Sequence, residues 1–194
     1  VSHTTNPVPF IMIDPQSAAH IKPGSGKLAD IAPTILHVFN IKPPEIMTGR
    51  SLVIGHEFGI NRKVLLLILD GWGLNDESEN NPIAIASTPY WDGLLKRYPY
   101  SILGASGEDV GLKAGKAGNS EAGHMNIGAG RVILQDDVRL DMAMKDGSFY
   151  SNEVICQAIE EVKTRGSSLH LIGLLTEKSS HGSIDYPLAV LKMA

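Results

Sequence analysis

The stretch "KVLLLILDGWG", residues 63–73, decides how the rest of the chain reads. Its run from Val64 to Leu69 is far too short to cross a bilayer and has the length of a strand. Without polar alternation, the run predicts an interior strand covered on both faces, as in the parallel sheets of α/β proteins. Asp70 falls where the run ends, the place where ligand chemistry gathers in open α/β sheets. Gly71 and Gly73 permit a sharp turn there and leave the carboxylate free to point into a crevice.

Working outward, "VPFIMID" (8–14) reads as a short buried strand, and "PGSG" as a loop. Asp30 is placed to cap a helix whose apolar side carries Ile31, Ile35, Leu36, Val38 and Phe39. That helix stops at "IKPPE", because consecutive prolines cannot continue its hydrogen-bond ladder. "RSLVIGHEFGINRK" (50–63) has mixed signals and reads as a connector. Downstream, Thr88 and Pro89 open a helix with Trp91, Leu94, Leu95 and Tyr98 spaced as a packing face. "YSILGAS" (100–106) resembles a strand. After residue 134, Val154, Ile155, Ala158, Ile159 and Val162 recur at helical period behind a cap at Ser151 or Asn152. "SLHLIGLL" (168–175) reads as a strand passing into burial. The elements together predict an α/β protein.

Composition narrows the function. The 194 residues, 43% of them hydrophobic, can bury one sizeable core. Seventeen Lys and Arg against 21 Asp and Glu give a formal charge of −4, which argues against nonspecific nucleic-acid binding. Cys156 is the single cysteine, so neither an intrachain disulfide nor a multi-cysteine metal site can form. Its apolar helical surroundings predict a core position. "VSHTTNPVPF" has no basic region leading into an apolar stretch, so it does not read as a signal peptide, and it resembles the interior of a gene product. The expected setting is cytoplasmic, with no membrane partner.

"GNSEAGHMNIG" (118–128) lies in a glycine-rich stretch that a demanding site would shape. It lacks the Gly-Lys-Ser or Gly-Lys-Thr ending of a nucleotide phosphate loop, so ATP is not implied. If Ser120 begins a helix, its hydroxyl sits at the positive end of the dipole, where phosphate or a developing alkoxide is stabilised. His124 falls one turn later on the same side. The same pattern also fits an ordinary helix start, with Ser120 as N-cap and His124 as a polar packing residue. Serine needs a base or a metal to act as a nucleophile. Asp70 offers a hard oxygen ligand, and His3 or His56 offers nitrogen.

"LLLILDGWGL" (65–74) and "AGNSEAGHMNIGAGRV" (117–132), with "SHTTNPVPF", "GKLADIAPTIL" and "SLHLIGLL", resemble the cofactor-independent phosphoglycerate mutase family. That family belongs to the alkaline phosphatase-like metalloenzymes. The resemblance implies that Ser120 takes phosphate from 3-phosphoglycerate and returns it to the 2-hydroxyl of bound glycerate, with no 2,3-bisphosphoglycerate required. It implies two divalent metals, commonly manganese. Asp70 and Ser120 match ligands of one, and His3 matches a ligand of the other. His181 matches a substrate-binding histidine, and Asn119 is placed to hydrogen-bond phosphate. A monomer is implied for the complete family enzyme.

The family's segments run here in rearranged order. Residues 1–55 resemble the C-terminal part of the phosphatase-like domain, 56–63 a junction, and 64–134 the N-terminal part with the nucleophile. Residues 135–194 resemble the truncated start of the glycerate-binding domain. The family's Asp-x-x-x-His element and Asp-His pair do not occur, which leaves half-shells of two metal sites. "TEKSSHGS" (176–183) keeps His181 but departs from the family's "SDGGVHSH". Turnover by this exact chain is doubtful on those grounds. The alternatives are a metal-dependent phosphatase of the same superfamily and a non-catalytic partial domain.

Overall fold

The computed structural model describes residues 3–15, 21–75, 79–177 and 182–194. Contacts divide the chain into two compact units, Val1–Ile133 and Leu134–Ala194.

The first unit is built on a small mixed sheet in the order β1-β3-β2, with β1 Val8–Ile11, β2 Gly26–Lys27 and β3 Tyr100–Gly104. β1 runs antiparallel to β3, with Val8 opposite Leu103 and Phe10 opposite Ser101. β2 runs parallel on the other edge, with Gly26 opposite Leu103. In β3, Ser101 and Leu103 are buried while Tyr100 and Ile102 face outward, the period of two that a pleated strand imposes.

Helix α1 (Ile31–Val38) forms where the apolar period predicts it, and the chain leaves it through Asn40, a non-glycine residue at φ 56°. Asp30 caps differently from expectation. It makes no side-chain hydrogen bond to α1, and its carboxylate instead accepts the backbone N–H groups of Lys27 and Arg50, each at 2.8 Å. One buried carboxylate thereby ties the 3₁₀ turn Leu28–Asp30 to the segment after the prolines. Thr34 adds a second tie, donating to Asp30 O and accepting from Leu52 N. The stretch read as a connector is thus bolted to α1. Leu52 joins a core of Leu28, Ile31, Leu103, Val110, Leu112 and Ala122, and Val53 and Phe58 join a smaller one with Ile21 and Val38.

Two short helices follow, α2 (Pro82–Ile85) and α3 (Pro89–Arg97), each opened by a proline in its first turn. Neither contains a fully buried residue, so the packing face expected around Trp91 is only half covered. Helix α4 (Ser120–Ala129) buries Ala122, Gly123 and Asn126 against the larger core.

The second unit is helical among its described residues: α5 (Asp136–Asp146), α6 (Glu153–Arg165) and α7 (Asp185–Met193). Asn152 caps α6 by accepting from Ile155 N, which resolves the choice left open with Ser151. Phe149 and Ala189 are its buried apolar side chains, and the Tyr186 hydroxyl donates to Asp141 at 3.0 Å. Cys156 is exposed rather than in a core, with its thiol directed at Tyr150 O.

Two expected strands do not form. Residues 64–69 have no ladder partner, and Leu65 and Leu67 are 89% and 74% exposed against 41% and 40% for Leu66 and Ile68. That alternation marks an extended chain lying on one face. β3 is flanked on both sides by β1 and β2, and residues 64–69 form no ladder with the outer edge of either. Residues 168–175 are likewise outside any strand, with Ile172 99% exposed. A strand needs a neighbour to satisfy its backbone, and apolar content cannot substitute for one. The chain remains α/β, with a smaller sheet than the apolar runs suggest.

Candidate active site

Three backbone segments meet near the start of α4. After Leu69 the chain turns back, with Trp72 N donating to Leu69 O. Gly71 occupies φ +80°, a region that a side chain would strain. This turn presents the Asp70 carboxylate at the surface, and Leu74 N donates to Pro7 O at 2.8 Å, tying the turn to the entry of β1. The second segment is residues 3–7, and the third is the approach to α4. Gly118 N donates to Thr4 O at 3.1 Å, and the Ser106 hydroxyl donates to Thr5 O. A Cβ at position 118 would overlap the Ala105 carbonyl oxygen, so only glycine permits this approach.

At the helix start the capping is done by Asn119, whose Oδ1 accepts from Ala122 N at 2.8 Å. Ser120 is the first helical residue and is released from that duty. Its Oγ donates to Asp70 Oδ2 at 2.8 Å, joining two residues 50 positions apart. Both are exposed. The serine proton therefore points at the carboxylate, and the oxygen lone pairs face elsewhere. The first N–H groups of α4 have no intrahelical acceptor, which adds partial positive charge beside the hydroxyl.

His124 lies one turn on, and its Nδ1 is 2.7 Å from Ser120 O. A carbonyl only accepts, so that nitrogen carries the proton and steadies the first turn. Asn126, a motif residue that sequence reasoning passed over, is fully buried. Its amide donates to Val110 O and Ala122 O and accepts from Ile133 N. The available signal was a lone amide among Ala122, Gly123 and Ile127 on the apolar side of α4. Asn126 locks the helix that carries Ser120.

The five site residues thus fall as follows. Asp70 and Ser120 touch, and Asn119 is adjacent as the cap. His3 is exposed and precedes the Thr4 carbonyl that receives Gly118 N, while His181 lies outside the described residues. His56 packs edge-on against Phe58, with ring centroids 4.7 Å apart.

A carboxylate and a hydroxyl in contact are hard oxygen donors suited to one side of a divalent cation. A complete shell needs four to six or more donors. Among the described residues no group of three or more His, Cys, Asp or Glu gathers. Asp70 and Ser120 fit part of a metal shell and do not complete one.

Comparison with known proteins places this arrangement. Similarity is found to the "2,3-bisphosphoglycerate-independent phosphoglycerate mutase" of Methanococcoides burtonii, 50% identical over 133 residues, covering 69% of this chain and 26% of that protein. The proteins of the same name from Desulforudis audaxviator and Clostridium botulinum are 46% and 45% identical, again over 69% of this chain and 26% of theirs. The chain spans about a quarter of the length of the curated relatives it matches. A family model described as the Metalloenzyme superfamily matches residues 1–43 and 62–184, which takes in β1, the Asp70 turn and all of α4. With most of its length matched, including both residues of the Ser120–Asp70 contact, this chain belongs to the Metalloenzyme superfamily.

Proposed function

We propose that this chain carries the phosphoryl-accepting part of a phosphoglycerate mutase site, in which phosphate moves between the 3- and 2-hydroxyls of glycerate through Ser120. The observation that carries the reading is the 2.8 Å hydrogen bond from Ser120 Oγ to Asp70 Oδ2 at the N-terminus of a helix. Relatives named as such mutases support it.

In the forward half-reaction a bond forms from Ser120 Oγ to phosphorus as the bond from phosphorus to the 3-oxygen breaks. The serine proton is already directed at Asp70, and the departing 3-oxygen must gain one. In the return step the 2-hydroxyl attacks phosphoserine and Ser120 Oγ leaves. Asn119 holds α4 with its Oδ1, which leaves its Nδ2 for a phosphoryl oxygen. The unpaired N–H groups at the start of α4 favour the same negative charge. Divalent metal, manganese in this proposal, would lower the cost of the serine oxyanion when held by Asp70 and Ser120, with His3 assigned to a second ion. His181 is assigned to glycerate. The proposal places the reaction in the cytoplasm and needs donors beyond those described to close either shell.

Exposure of Ser120 favours a second reading. If an activated water rather than the 2-hydroxyl of glycerate attacks the phosphoserine, phosphate is released and the chain acts as a metal-dependent phosphatase. Incubating the chain with 3-phosphoglycerate and manganese separates the two. The mutase reading expects 2-phosphoglycerate without net phosphate release, and the phosphatase reading expects free phosphate. Neither product, with Ser120 unmodified, overturns both.

A further inference from the structure

Aspartate followed by glycine occurs three times in the chain, at 70–71, 92–93 and 146–147. Such a pair carries its own electrophile and nucleophile, because the glycine nitrogen, with no side chain to hinder it, can attack the aspartate Cγ. Both atoms belong to one dipeptide, so covalent geometry sets their reach. What the fold controls is whether that amide is free and the backbone able to turn.

The three pairs differ in this respect. Asp92 and Gly93 lie inside α3, where backbone N–H groups bond to carbonyls four residues back and cyclisation has to unwind the helix. Asp92 Oδ1 is also held by the Thr88 hydroxyl at 3.1 Å. Asp146 and Gly147 close α5, with Asp146 Oδ1 tied to Ser148 N at 2.9 Å. Asp70 and Gly71 are outside any helix or strand, and both are exposed. The Gly71 N–H meets no acceptor among the described residues, and a Cβ at that position would touch nothing within 4 Å.

We propose that Asp70–Gly71 is a site of spontaneous modification, at which aspartate converts to isoaspartate through a succinimide. Gly71 N bonds to Asp70 Cγ, and one carboxyl oxygen leaves as water with the amide proton and a proton from solvent. Water then opens the ring. Attack at Cγ restores aspartate, whereas attack at the main-chain carbonyl carbon of Asp70 routes the chain through the side chain with no change in mass. The product has one more methylene in its backbone and a carboxylate attached directly to Cα, so the 2.8 Å contact with Ser120 is lost. The rearrangement involves no phosphoryl transfer, and its test is independent of the proposed function.

The full chain is incubated at physiological pH and temperature, native and in guanidinium. Isoaspartate is detected by enzymatic carboxyl methylation, and electron-transfer fragmentation of the tryptic peptide 64–96, which holds both pairs, assigns it to position 70 or 92. In guanidinium the two positions should react alike. In the native chain position 70 should react at least about ten-fold faster than position 92, since a helix interior reacts only when it opens. Run in water enriched in oxygen-18, position 70 should gain heavy oxygen as the ring is opened by solvent. A native ratio equal to the denatured one overturns the proposal, as does the absence of isoaspartate at 70 while the denatured chain forms it, or isoaspartate without heavy oxygen.

Discussion

β3 and residues 64–69 contrast a modest strand that forms with a stronger apolar run that does not. "YSILG" alternates exposed and buried side chains, lies between β1 and β2, and buries Leu103 to 1% exposure. "VLLLIL" is apolar throughout, yet it has no ladder partner, and Leu65 is 89% exposed. Strand formation here follows ladder pairing actually made, and hydrophobicity alone does not bring it about. An interior strand is a statement about other segments as much as about itself.

The largest effect expected from this contrast is at Leu103. Leu103→Ala should cost about 3 kcal/mol, the scale for emptying a close-packed core site. Leu67→Ala should stay within about 0.5 kcal/mol, as exposed substitutions do. Urea denaturation of both variants measures the difference, and equal losses would mean that 64–69 is packed in solution.

Asn126 comes next. Asn126→Leu keeps the bulk but leaves Val110 O and Ile133 N without its amide, at a cost of about 2 kcal/mol. Thermal melts would show it, and a neutral result would remove Asn126 as the lock on α4.

The run should also declare itself in association. An unpaired apolar segment of this kind templates contact with other chains. Leu67→Lys should lower dye binding to exposed apolar surface and reduce concentration-dependent association seen by light scattering, with the melting temperature unchanged. No change in association would show that the run is covered.

The smallest effect lies in the second unit. Hydrogen bonds from the Ser148 hydroxyl and N–H hold the Asp146 carboxyl below its ordinary value. A carboxyl depressed on folding contributes stability above its unfolded pKa and loses it as pH falls through the folded one. Asp146→Asn should therefore lower stability slightly at neutral pH and leave it unaltered in strong acid, as paired melts would record.

How legible these features were in the sequence depends on how local their causes are. The starts of α3 and α6 follow from residues beside them, Thr88 with Pro89 and Asn152, whereas α1 ends at Val38 and turns off at Asn40, before the prolines of "IKPPE" are reached. Strand pairing is not local. It added β2 within a stretch that reads as loop, and it left 64–69 and 168–175 unpaired. At the start of α4, Asn119 and Ser120 are both good caps by residue type. Only the structure assigns that task to Asn119 and gives the serine hydroxyl to Asp70. No spacing rule joins positions 50 residues apart, and the motif resemblance was what set them side by side.

The central claim is that the hydroxyl beside Asp70 is the phosphoryl acceptor. Phosphopeptide mapping after incubation with 3-phosphoglycerate and manganese tests it most directly. The account predicts phosphate on Ser120, absent in Ser120→Ala and formed at least about 100-fold more slowly in Asp70→Asn. Phosphate on another residue while Ser120 stays bare, or labelling of Asp70→Asn at the native rate, would contradict it.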